Sequence, residues 1–160
     1  MKINKRIQGF TLIELLVVIG ILAILLAIVL IAVNPARQFA QARNTQRESD
    51  VNEFLDAIYA YAADNNGNLP AGIDGTLKTI ASGGAVGTVD LCVTLVPRYI
   101  ADLPIDPTTG TQAPANSVCT DPNATYNTQY TIIRSSATDN RITLAAPGAE
   151  LSGVVITVTR

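Results

Sequence analysis

Few side chains in this 160-residue chain are equipped for chemistry. It contains no histidine, the side chain most often used as a general base and as a metal ligand. It also lacks a Gly-rich phosphate loop, a Gly-x-Ser-x-Gly turn and any Ser/Lys or Cys/His arrangement. Three groups of residues remain. The first is a lone carboxylate, Glu14, set near the start of an apolar run from Phe10 to Val33. A charge at the centre of a membrane helix costs roughly 2.5–3.5 kcal/mol. Glu14 therefore calls for a purpose, either a positive partner in low dielectric near a helix N-terminus or escape of its head group to water. The second group is the loop aspartates Asp102, Asp106, Asp121 and Asp139, hard oxygen ligands of the kind calcium takes. Against that stands the plainer reading of solvated turn carboxylates, which their Pro- and Thr-rich surroundings favour. The third is the pair Cys92 and Cys119. Two cysteines without histidine argue against zinc and leave either two buried thiols or a disulfide. A membrane context with the soluble part outside the cytoplasm favours the bridge, which would stabilise a small core by roughly 3–4 kcal/mol.

The elements that hold these residues follow from pattern. Leu15 to Val33 carries no charge and is about as long as a helix needs to cross a hydrocarbon core. It is too long for the apolar region of a secretory signal, and no small-residue cleavage site follows it. Basic residues lie on both sides, at Lys2, Lys5 and Arg6 and at Arg37, Arg43 and Arg47, so they do not fix an orientation. The whole chain holds 11 basic and 13 acidic side chains, and without the first three basic ones only eight remain. Such an acidic balance argues against non-specific binding to nucleic acid.

Residues 34–66 turn amphipathic. Val51, Phe54, Leu55, Ile58, Tyr61 and Ala62 follow helical spacing, with Arg47, Glu48, Asp50, Glu53 and Asp56 mainly on the other face. The pattern predicts one helix from Thr11 to about Asn66, roughly 80 Å long. It should be kinked at Pro35 and stopped at Asn65-Asn66-Gly67, where Gly67 takes a left-handed cap. About 125 residues beyond the apolar run suffice for one small domain. Residues 67–125 read as loop, with a short helical turn at Leu77-Lys-Thr-Ile80. Residues 126–160 read as an antiparallel sheet of three or so strands, Tyr126–Arg134, Arg141–Ala146 and Val154–Arg160, with turns at Thr138–Arg141 and Pro147-Gly148. The expected buried set includes Phe54, Leu55, Ile58, Ile132, Leu144 and Val155. Tyr59 and Tyr61 read as packing residues on different sides of the helix. Asn123-Ala-Thr125 matches a glycan acceptor pattern, but a turn is the better reading.

The first quarter of the chain, a short basic stretch ending in Gly9 followed by Phe10-Thr-Leu-Ile-Glu14-Leu-Leu-Val-Val-Ile-Gly20, resembles the type IV prepilin N-terminus shared by type IV pilins and type II secretion pseudopilins. The resemblance implies an α+β pilin-like fold, one long helix packed on a small sheet. It implies a leader 1–9 removed by prepilin peptidase between Gly9 and Phe10, N-methylation of Phe10, and a transmembrane and filament-core segment 10–33. It also implies that Glu14 meets the N-terminal amine of a neighbouring copy. The chain would then be no enzyme and would sit in the cytoplasmic (inner) membrane with its head, 67–160, extracytoplasmic. Its partners would be copies of itself, the peptidase and an inner-membrane assembly platform, with a pilus or pseudopilus as product. Where many members carry a helix-weakening proline this chain has Ile31, so local unwinding should move toward Pro35. Leu103-Pro-Ile-Asp106-Pro107 also resembles a turn of major pseudopilins, proteins that often bind calcium, although their ligand pattern does not map onto these residues. The rival of another class is a signal-anchored extracytoplasmic binding protein.

Overall fold

The computed structural model describes residues 9–113, 119, 121, 123–136 and 140–160. Two compact units divide the chain, Met1–Phe39 and Ala40–Arg160. Helix α1, Leu12–Val33, belongs to the first; helix α2, Pro35–Asp64, runs from the first into the second. Within α1, Leu12–Ala32 would be about 30 Å long, the thickness of a bilayer core. None of its residues from Leu12 to Ala32 is buried.

The single continuous helix expected from Thr11 to Asn66 is corrected to two. Asn34 stands between them in the left-handed region, at φ 45°. Pro35 explains the position of the break, because a proline pushes the preceding residue out of the helical region, and asparagine tolerates the left-handed one better than most side chains. Pro35 itself is at home as the first residue of α2, where its missing N–H would have had no helical partner. The Asn34 carbonyl accepts from Arg37 N at 3.1 Å and from Gln38 N at 3.4 Å, the second bond beginning the α2 ladder. Local unwinding thus falls beside Pro35, as the proline-free segment around Ile31 suggests.

In the second unit one face of α2 carries Val51, Phe54, Leu55, Ala57, Ile58 and Ala62 into the core. Among the described residues six strands follow: β1 Lys78–Ala81, β2 Thr88–Val89, β3 Thr111–Ala113, β4 Thr125–Arg134, β5 Ile142–Ala146 and β6 Ile156–Thr159, with a short helix α3 at Cys92–Leu95. Their order is β2-β1-β4-β5-β6, and β3 pairs with the start of β4. β4, β5 and β6 run antiparallel with Ile132 opposite Leu144 and Leu144 opposite Val158. Every second residue of β4 from Tyr126 to Ile132 is buried, as expected of a sheet with one covered face. Phe54 meets Tyr130 edge to face at 5.7 Å between ring centres.

Three local expectations change. The helical turn at Leu77–Ile80 is strand β1, and β1 pairs in parallel with β2, so the sheet is mixed and larger than three strands. Val155 is 82% exposed and Ile156 takes the core position, the one-residue slip that moves a strand's apolar set from one face to the other. Arg47 and Asp50, assigned to the outer face of α2, are buried. Of the turn expected at Thr138–Arg141, residues 138 and 139 lie outside the described residues. Tyr61 packs on Tyr99 at 5.6 Å, and the Tyr59 hydroxyl donates to the Arg160 carbonyl.

Candidate functional site

The N-terminal end of α1 is built by a reciprocal cap. Thr11 is extended, at φ −85° and ψ 150°, and its hydroxyl accepts from Glu14 N at 3.3 Å. Glu14 reaches back: its Oε2 accepts from Thr11 N at 2.8 Å and from the Thr11 hydroxyl at 2.6 Å. This capping box satisfies two donors that a helix start leaves orphaned, and it puts a carboxylate where the helix dipole favours one. The box starts the helix at Leu12 and leaves Gly9 and Phe10 outside it, in exposed non-helical chain. Phe10 is 80% exposed, and no neighbour lies within 4 Å of a Cβ built on Gly9. Thr11-x-x-Glu14 ahead of an apolar run is a capping signature visible in the sequence, and reading Glu14 only as a buried charge missed it.

A second cluster belongs to the Ala40–Arg160 unit. Arg47 has no exposed side-chain surface. Its Nε donates to Asp106 Oδ2 at 2.6 Å, its Nη2 to Asp106 Oδ1 and to the Thr108 hydroxyl, and its Nη1 to Asn44 Oδ1 at 3.0 Å. Asp106 Oδ1 also accepts from the backbone N–H groups and hydroxyls of Thr108 and Thr109. Burial works to raise the Asp106 pKa, but Arg47 and these turn donors outweigh it and hold the carboxyl far below the ordinary carboxylate range. Arg43 forks onto Glu150, and Asn44 bonds both the N–H and the carbonyl of Glu150. One α2 turn thereby fastens the 103–110 turn and the β5–β6 connection. Gly148 completes the fit, since a Cβ there would lie 2.6 Å from Asp106 Oδ2. Beside this pair Asp50 accepts from the Tyr130 hydroxyl at 2.6 Å. Burial raises the Asp50 pKa, and the Tyr130 hydrogen bond only partly opposes it.

The loop aspartates do not converge. Asp102 caps Leu103 N at 2.9 Å, Asp106 is committed to Arg47 and its own turn, Asp121 accepts from Asn123 N at 2.8 Å, and Asp139 lies outside the described residues. Among the described residues, no three His, Cys, Asp or Glu side chains are grouped to hold a metal. Cys92 and Cys119 are joined as a disulfide and tie α3 to residue 119. The Asn123-Ala-Thr125 pattern sits in a turn leading into β4.

Residues 4–30 match the prokaryotic N-terminal methylation motif, the signature of type IV prepilins and pseudopilins. No curated protein and no solved structure matches the chain.

Proposed function

We propose that this chain is a structural prepilin, cut between Gly9 and Phe10, methylated on the new Phe10 amine and polymerised into a type IV pilus-like filament. The observation that carries the reading is the methylation motif over residues 4–30, which runs into a helix that buries no side chain from Leu12 to Ala32 and whose one carboxylate stands in its first turn. Exposed, non-helical chain at Gly9–Phe10 suits a peptidase, which needs extended backbone. The capping box lies wholly on the Phe10 side of that bond and so survives the cut. Both bonds that Glu14 accepts within its own helix use Oε2, which leaves Oε1 for the Phe10 amine of a neighbouring copy. In an apolar helix bundle such a pair is worth far more than in water, and an unpaired carboxylate there is strongly disfavoured. The pair therefore sets the register between copies. The proposed partners are other copies of the chain, prepilin peptidase and an inner-membrane assembly platform, with the head on the extracytoplasmic side. Calcium has no part in the proposal, because Asp102, Asp106 and Asp121 are each engaged in a bond of their own and do not converge.

A second reading, a major-type pseudopilin of type II secretion, is favoured by the Leu103–Pro107 turn, whose Asp106 is the residue buried against Arg47. Shearing of producing cells separates the readings. A pilus subunit appears in the sheared fraction as filaments of this chain. A pseudopilin stays with the envelope and its loss stops protein secretion. A chain that remains single in the membrane and supports neither filaments nor secretion contradicts both and favours a signal-anchored binding protein.

A further inference from the structure

Asn66 is the one asparagine in the chain followed by glycine. This pairing is the most open to succinimide chemistry, because no side chain hinders the next backbone nitrogen. Gly67 N attacks Asn66 Cγ and loses its proton to water, the Cγ–Nδ2 bond breaks, and ammonia leaves. Water then opens the five-membered ring at either carbonyl, giving aspartate or isoaspartate. Asn66 is exposed, and its amide makes no hydrogen bond among the described residues, so the electrophile is open to attack.

The nucleophile is not. Asn66 and Gly67 both stand in the left-handed region, at φ 55° and 83°, and Gly67 N–H donates to the Ala62 carbonyl at 2.8 Å. That is the bond by which a Schellman cap closes a helix. The other side of the Gly67 residue is held as well, since Asn140 Nδ2, from the β4–β5 connection, donates to the Gly67 carbonyl at 2.7 Å. Swinging Gly67 N onto Asn66 Cγ breaks the first bond and strains the second. We propose that Asn66 is a spontaneous deamidation site gated by the α2 cap, with Asn140 as the latch that keeps the gate shut. The reaction then proceeds only from the fraction of molecules in which this helix end has opened. Its product matters locally: an aspartate there adds a negative charge at a helix C-terminus, where the dipole disfavours one, and an isoaspartate inserts an extra backbone carbon into the cap.

The test follows the mass gain at Asn66 in the full chain, kept in detergent micelles in mildly alkaline buffer, against the same chain unfolded in urea. The folded chain should convert at least about tenfold more slowly, as for a cap whose opening costs on the order of 1.4 kcal/mol. Asn140→Ala, at an exposed position, should convert faster than the parent while remaining folded by circular dichroism, and Asn66→Gln should remove the signal. Equal rates in the folded and unfolded chain overturn the gate. An Asn140→Ala rate equal to the folded parent's overturns the latch.

Discussion

Arg47 and Asp106 show how one buried charge pair can hold a small domain in a single arrangement. Removing a guanidinium from water is costly, and the cost is met only if its nitrogens find acceptors. Here Asp106, Asn44 and Thr108 supply them. Arg47→Met keeps the length of the side chain but strands a buried carboxylate, so urea unfolding should show a loss of about 3–5 kcal/mol. Two neighbouring carboxylates should answer pH with opposite signs. Asp106, held low, contributes stability that is present above its unfolded pKa, near 3.9, and is lost as pH falls below it. Asp50, pushed up by burial, favours the fold most below the unfolded value, and that contribution is lost as pH rises through its folded pKa. Asp50→Asn should therefore be as stable as the parent or more so at neutral pH, with the advantage disappearing in acid. Asp106→Asn should be destabilised at neutral pH, the gap narrowing in acid. Unfolding curves across an acid series check both, and parallel pH profiles for the two variants would contradict the opposed environments.

At the scale of elements, α1 begins with a cap that uses the residue proposed to direct assembly. Glu14→Ala removes the Glu14 half of the capping box and the proposed partner of the neighbouring amine, while the Thr11 hydroxyl can still accept from the backbone N–H of residue 14. We expect that variant to insert and be cleaved normally, losing about 1 kcal/mol of local helix stability, and to yield few filaments by electron microscopy. Filaments at parental numbers would rule out Glu14 as the register residue. The elements differ in how plainly their residues announce them. β4, β5 and β6 were legible because alternating Tyr, Ile, Val and Thr report a half-buried strand directly. β1 was not: Leu77-Lys-Thr-Ile80 is too short to carry a period, and its strand form depends on Thr131 and Ile132 lying alongside, more than 50 residues away. The sequence places Arg47 outward because a charged residue on a helix ordinarily faces water, and its partner lies 59 positions on in the sequence. The same limit applies to Val155 and Ile156, since two adjacent β-branched residues leave the buried one undetermined until pairing with β5 fixes the register. The break at Asn34 could be located from Pro35 alone, but Pro35 left open whether the helix would bend or stop.

The molecule as a whole combines two solvent preferences in one chain. The Ala40–Arg160 unit buries its own core of α2 and sheet residues, and the Cys92–Cys119 bridge reinforces it. α1 buries nothing of its own and needs either lipid or other copies around it. In the function proposed above, membrane insertion would meet that need before assembly, and packing against identical helices would meet it afterwards. The passage between the two states depends, in this account, on cutting the chain at Gly9–Phe10 and exposing an amine for Glu14 of a neighbour. Mass spectrometry of the native N-terminus from the producing cell tests this most directly. The expected chain begins at N-methylated Phe10, whereas a native chain that still begins at Met1 would contradict cleavage at Gly9–Phe10.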